Sequence, residues 1–334
     1  MKKQQGVALI VVLLLVALMS LIASQMTERL QKNFYRVESQ ILHQQTYWYG
    51  FGIEALAKVA IEQSLKDSDT ATLNQPWATK DRTYPLDNGD VTGTIIDRQA
   101  CFNLNALAKV KSTTDGKKPY LVGVLQTLLE DSGVESYAAE TIADSSWEFV
   151  DSDDAVQSAT GAEDSTYAGL SPAYLPPDSL LANVTEFRAV NGVTAKIYNE
   201  VSPLLCALPT TEFKLNVNTL DKRDAPLLAA MFAPNLSVSD AEKLIADRPY
   251  NGWDKVEDFL AESVIKSVSQ DTVKKAKAHL DVTSHYFQLD AEINVDRMRM
   301  RLVSLLKRDD KNKVTVVRRQ YGGIRERISD DKAE

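Results

Sequence analysis

The chain has 334 residues, 44% apolar and 25% charged, values of an ordinary globular protein that disfavour wholesale disorder and a polytopic membrane protein. A net charge of -8 argues against a general nucleic-acid binder, which needs a basic surface to neutralise phosphates. Two cysteines exclude a disulfide scaffold and a four-thiolate zinc site, the three histidines are scattered, and no phosphate loop or nucleophile elbow is present, so enzymatic chemistry has no starting point.

Between Lys3 and Glu28 there is no charge, and Val7 to Ala23 is one apolar run. A basic leader before such a run fits three readings: a cleaved secretory signal, a signal anchor and a prepilin-type leader. Ala23, Ser24 and Gln25 offer small residues for signal cleavage, yet helical character continues unbroken through Phe34, Ile41, Tyr47 and Val59 to Leu65. No proline occurs before Pro76. The sequence therefore predicts one helix over 7–66, apolar all round over 7–27 and amphipathic later. At 1.5 Å per residue it is roughly 90 Å long, far more than a bilayer needs, so its second half must pack on something.

After Leu65 a polar stretch with Pro76, Pro85, Asn88 and Gly89 has the composition of a loop. Val91 to Ile96 alternates as a strand. Phe287, Leu289, Ala291, Ile293 and Val295 repeat every second residue, which places them on one strand face. The pattern then slips by one, to Met298, Met300 and Leu302, and a slip of this kind predicts a bulge or bend. Asp309 to Asn312 is a turn and Val314 to Val317 a returning strand. The economical solution is an α+β fold in which a small antiparallel sheet, from 67–104 and 281–322, lies on the long helix and a mainly helical domain of 105–280 is inserted between its strands.

The insert contains a diverged duplication. Asn103-Leu104-Asn105 answers to Asn216-Val217-Asn218, and Ile142-Ala143-Asp144 answers to Ile245-Ala246-Asp247. Segments 186–193 and 254–259 resemble pieces of helix-hairpin-helix units, which elsewhere bind DNA backbone. Here the charge opposes that role, because from Pro119 to Phe187 there are 13 Asp and Glu and no Lys or Arg. Asp151, Asp153, Asp154, Glu163 and Asp164 concentrate five carboxylates within fourteen residues. They suit a hard cation such as calcium, which takes six to eight oxygens, although the spacing is not that of an EF-hand because position 12 from Asp151 is Ala162. The other reading of this composition is a solvated acidic loop. Cys101 and Cys206 either pair in an oxidising compartment or stay as two buried thiols. Residues 297–334 reverse the charge, with 12 Lys and Arg against 6 Asp and Glu, and predict a solvated strand face followed by a basic tail at 323–334.

Several blocks together resemble the K-type minor pseudopilin of type II secretion systems. These are the leader ending in Gly6, the Asn-Leu-Asn segment at 103–105, Trp147 to Asp154, Gly161 to Tyr167, Glu186 to Gly192 and Leu215 to Thr219, in family order over essentially the whole chain. The resemblance implies a leader of residues 1–6 removed by prepilin peptidase after Gly6, with Val7 as the N-methylated mature terminus. It implies a single-pass inner-membrane anchor, a body in the periplasm, and calcium in the inserted domain. It implies no enzymatic activity, and a place at the tip of the pseudopilus with I-type and J-type minor pseudopilins, where assembly for protein secretion begins. Major pilins and pseudopilins carry Glu as the fifth mature residue, compensating a neighbour's N-terminal ammonium; here that position is Val11. A buried charge without its partner is costly, so Val11 suits a subunit with no neighbour ahead of it. The competing readings are a membrane-anchored DNA-uptake or nucleic-acid-binding protein, against which the acidic stretch speaks, and a calcium-dependent hydrolase, for which no nucleophile and base are spaced.

Overall fold

The computed structural model describes residues 7–112 and 117–322. The leader through Gly6 and the basic tail at 323–334 lie outside the described residues. One helix, α1 (Val7–Ser64), runs 58 residues, as the absence of proline allows. It is long and apolar enough to cross a membrane, and no residue of its most apolar window is buried. Its second half turns Leu42, Thr46, Gly50, Ile53, Ala57 and Ile61 inward at helical spacing. Gly50 permits the approach, since a Cβ there would already touch Leu302 Cδ2 at 3.4 Å and Met300 Cε at 3.5 Å.

That face lies on a five-stranded antiparallel sheet of β1 (Arg82–Leu86), β2 (Gly89–Asp97), β7 (Tyr286–Val295), β8 (Met298–Arg308) and β9 (Val314–Tyr321), in that spatial order. Phe287, Leu289, Ala291, Ile293 and Val295 all point into the core with Ile53 and Ile61, as their alternation predicts. Burying each large aliphatic side chain contributes about 1.5–3 kcal/mol relative to leaving it exposed. Two sequence expectations change. The stretch taken for loop contains β1, and Pro85 is tolerated there because β1 is an edge strand that needs no further ladder donor. The slip after Val295 is a hairpin turn, with Val295 opposite Met298 and Asp296 at φ 49°; the register irregularity lies instead between Leu305 and Leu306.

Between β2 and β7 the chain builds the insert. Its first part opens with β3 (Phe102–Asn103) and contains α2 (Tyr120–Asp131), α3 (Ser136–Glu148), α4 (Asp164–Ala168) and α5 (Ala195–Val201). It closes on β4 (Leu205–Cys206), which pairs in parallel with β3. The second part repeats the plan from β5 (Leu215–Asn216) through α6 (Ala225–Met231), α7 (Val238–Ala246), α8 (Val256–Leu260), α9 (Ser263–Lys266) and α10 (Gln270–Lys277) to β6 (Leu280–Asp281), again a parallel pair.

The two Asn motifs do the same work in both parts. Asn103 Oδ1 accepts from Asn105 N–H, and Asn216 Oδ1 from Asn218 N–H. The second asparagine then clamps a distant backbone: Asn105 accepts from Leu181 N–H and donates to Leu181 O, while Asn218 does so with Trp253. Each clamp precedes a short capped helix, Val184–Ala189 and α8, in which Phe187 and Phe259 are fully buried. The clamped partners are 76 residues apart in the first part and 35 in the second. Most of the extra length of the first part is the acidic loop.

The structure joins Cys101 to Cys206, with Cα atoms 5.9 Å apart, beside the β3–β4 pair. A cross-link spanning 105 residues restricts the unfolded chain by about 4–5 kcal/mol in the chain-entropy model. The double variant Cys101→Ser/Cys206→Ser is therefore expected to lower the unfolding free energy of the insert in urea by that order and to be insensitive to reductant, whereas reductant lowers the wild-type midpoint. A wild-type midpoint indifferent to reductant contradicts this.

Candidate metal centre

The last turn of α3 delivers the first acid. Residues 142–148 of that helix are buried, and Trp147 is pinned by its Nε1 donating to Val110 O at 3.2 Å. This leaves Glu148 at the helix C-terminus and Asp151 one turn beyond it, on the same side by their spacing of three. Carboxylates at a helix C-terminus meet the negative end of the helix dipole, an unfavourable placement without a compensating cation. The loop then folds back and brings in Glu163, so that ligand oxygens of Glu148, Asp151 and Glu163 all lie within 4.8 Å of one another.

All three side chains are buried. Glu148 Oε1 accepts from Gln157 N–H at 2.8 Å and Ser158 N–H at 3.1 Å, and Asp151 Oδ2 from Gln157 Nε2 at 2.8 Å. The remaining oxygens have no donor: Glu148 Oε2, Asp151 Oδ1, both of Glu163, and Oδ1 of Asp164 and of Asp178. Each buried acceptor left unsatisfied costs about 1–3 kcal/mol, so six of them weigh against folding unless donors or a cation meet them. Lys118, just before the base-free stretch, is already spent on Asp144 at 3.0 Å and Glu140 at 3.2 Å.

The electrostatics say the same. Burial, then the close approach of the Glu148 carboxylate and the charge of Asp151, pushes Glu163 up to about 8. Burial and the charge of Glu148 push Asp151 up to about 6, and burial also raises Glu148. Asp178, itself raised by burial and by Asp164 and Asp154, acts on Asp151 and Glu163 in turn. An all-oxygen, strongly anionic donor set with idle lone pairs fits a hard divalent cation, not zinc or copper.

Of the residues expected from sequence, Asp151 and Glu163 stand in the triad and Asp164 beside it. Asp153 and Asp154 are exposed, and Asp153 is turned to the Ala155 N–H at 3.0 Å. Sequence reasoning missed Glu148 and Asp178. For Glu148 the signal was present, an acid one helical turn before Asp151; for Asp178, which sits at φ 45° after two prolines, none was.

Gly161 is needed by close approach. A Cβ there would stand 2.6 Å from Glu148 Oε1 and 2.7 Å from Ser158 Oγ. Gly161→Ala is expected to cost about 1–3 kcal/mol, as overpacking does, seen as a lower melting temperature in calorimetry. An unchanged melting temperature removes the claim that the loop is seated on Glu148.

A membrane-length helix whose second half carries an antiparallel sheet, with a helical unit between the strands, is the pilin-like class of fold. Two family models described as type II secretion system protein K match residues 100–210 and 215–283. The chain is 36% identical to the type II secretion system protein K of Aeromonas hydrophila, over 96% of this chain and 98% of that one. Against that of Pectobacterium carotovorum subsp. carotovorum identity is 36%, covering 97% and 98%. A chain in the crystal structure of the GspK-GspI-GspJ complex from enterotoxigenic Escherichia coli matches with a TM-score of 0.81 and 38% identity, covering 86% of this chain and all of that one. The chain belongs to the type II secretion system protein K family.

Proposed function

We propose that the chain is a minor pseudopilin at the tip of the type II secretion pseudopilus. There, with I-type and J-type minor pseudopilins, it helps initiate assembly and so supports export of folded proteins from the periplasm across the outer membrane. The observation that carries this reading is the likeness to a chain of the solved GspK-GspI-GspJ complex at 38% identity. Val11 supports an end position, since an apolar residue there asks for no ammonium ahead of it. The bulk of the insert also suits the end of a fibre more than a repeating array. In this reading prepilin peptidase cuts after Gly6, Val7 is N-methylated, and residues 7–27 remain in the inner membrane. Family membership favours this over the nucleic-acid alternative.

Calcium is the cation we assign to the carboxylate cluster, as a structural ion. Glu148, Asp151 and Glu163 would hold it, with Asp164 and Asp178 available from the same loop. Carboxylates on an irregular loop suit calcium, which accepts six to eight oxygens in flexible geometry, better than magnesium, which demands an octahedron. When bound it supplies the positive charge that the 13 acids of this stretch lack.

Deletion of the gene is expected to leave exoproteins in the periplasm, with wild type restoring their release and Gly6→Val failing to. The detergent-solubilised chain is expected to co-purify with I-type and J-type subunits in one complex. Normal secretion by the deletion strain, or failure to bind either subunit, overturns the reading.

A further inference from the structure

Away from the carboxylate cluster, a cavity of about 400 Å³ opens at the seam between the sheet and the insert. This is the size of a small-ligand site. Its floor is apolar, from Leu208, Phe213 and Tyr286, of which each is buried. Arg98, from the link between β2 and β3, lines it, its backbone N–H donating to Tyr286 O at 2.9 Å.

The Arg98 guanidinium is the unusual group. It is half-buried, and its one side-chain hydrogen bond is from Nη2 to Leu205 O at 3.2 Å. Among the described residues no carboxylate stands within ion-pair distance of it. Its neighbour in sequence, Asp97, accepts from Ser284, Thr219 and Asn216; the charges of Asp97 and Asp224 favour the guanidinium from beyond ion-pair distance, and that of Arg318 opposes it. Lys307, exposed at the mouth, has its ammonium 5.7 Å from the Tyr286 ring centre and makes no ion pair among the described residues. A desolvated guanidinium with several idle N–H donors is costly unless an anion meets it.

The lining also carries Glu212, Asp309 and Asp310, together with Lys214 and Arg308, whose side chains already donate to Ala278 O and to Ser284 O and Thr283 Oγ1. The three carboxylates disfavour a polyanion, so a ligand with a single negative charge and an otherwise neutral body fits this lining. We propose that this cavity is a binding site for an apolar carboxylate, its charge on Arg98 and Lys307 and its aliphatic or aromatic part on Phe213 and Tyr286. Such a group is available either as the terminal residues of a polypeptide or as a free small carboxylic acid.

The full chain in detergent is titrated calorimetrically with N-acetyl-Ala-Leu carrying a free carboxylate, its C-terminal amide, isovalerate and inorganic phosphate. Saturable binding of the free peptide acid but not the amide is expected, weakened about tenfold or more by Arg98→Gln and a few-fold by Lys307→Gln, in line with charge-assisted hydrogen bonds. Isovalerate binding as tightly as the peptide acid assigns the site to a free acid, and much weaker binding assigns it to a chain terminus. The exposed position of Lys307 keeps the test valid if Arg98→Gln fails to fold. No saturation with either carboxylate, equal binding of the amide, insensitivity to Lys307→Gln in a folded variant, or phosphate outcompeting the peptide overturns the proposal.

Discussion

Calcium added to the chelator-treated full chain is expected to raise the melting temperature of the insert by about 5–10 °C. The figure follows from about 2.7 kcal/mol of linkage at a hundredfold excess over the dissociation constant, spread over a unit of this size. The sharper expectation concerns sign. Without a cation the triad suffers from its own charge, so Glu163→Gln should raise the melting temperature of the calcium-free protein while abolishing the calcium shift. A merely solvated acidic loop gives neither effect. Dependence on pH follows from the raised groups. Glu163 near 8 and Asp151 near 6 hold protons in the folded chain that the unfolded chain has already released. Folded protein thus binds more protons between about pH 4 and 8, and the stability of the calcium-free form falls as pH rises through that window. Calcium displaces those protons, so its affinity moves the other way and strengthens about tenfold per unit of rising pH for each proton displaced. The calcium-induced shift measured by calorimetry should be largest near pH 8 and small at pH 5. A shift constant across that range would remove the triad as the binding site.

How far the sequence led depends on the range of the interactions. Features carried by local periodicity were legible: the uninterrupted helix, the alternating face of β7, and the separation of an insert from a sheet. The duplication was visible as repeated Asn-x-Asn, but its meaning was not. Only the structure shows that Asn105 and Asn218 clamp Leu181 and Trp253, and that unequal spacing leaves the acidic loop as most of the extra length of one copy. At the cluster, charge density pointed to this loop and only partly to the carboxylates that the fold gathers there. Asp153 and Asp154 look equal to Asp151 in sequence, yet the chain leaving α3 buries the first and exposes the other two. Which carboxylates cluster is decided by which side chains the fold takes out of water, and composition does not carry that.

Removing the carboxylate of Glu54 is expected to destabilise the sheet core by about 2–3 kcal/mol. On sequence this residue is one more acid on an amphipathic helix, but it is 2% exposed and accepts a bidentate pair from Arg319 of β9, Nε to Oε1 at 2.7 Å and Nη2 to Oε2 at 2.5 Å. Ser304 of β8 donates to the same Oε1. The guanidinium also lies 4.5 Å from the ring centre of Phe51. One carboxylate thereby ties α1 to the last two strands across 265 residues of sequence. Breaking a fully buried pair typically costs 3–5 kcal/mol, and the lower figure applies because the Arg319 side chain keeps 28% of its surface in water. The pair need not be net stabilising, since its desolvation offsets much of the attraction. Glu54→Ala should therefore lower the urea midpoint, whereas Glu54→Leu combined with Arg319→Met and Ser304→Ala should recover most of the loss. What the triple variant should not recover is the fixed position of β9, because apolar contact has no direction. Its amides should exchange hydrogen faster than in wild type at matched stability. Equal exchange would mean that packing alone holds the edge strand, and that the ion pair contributes nothing to how the helix and sheet are registered.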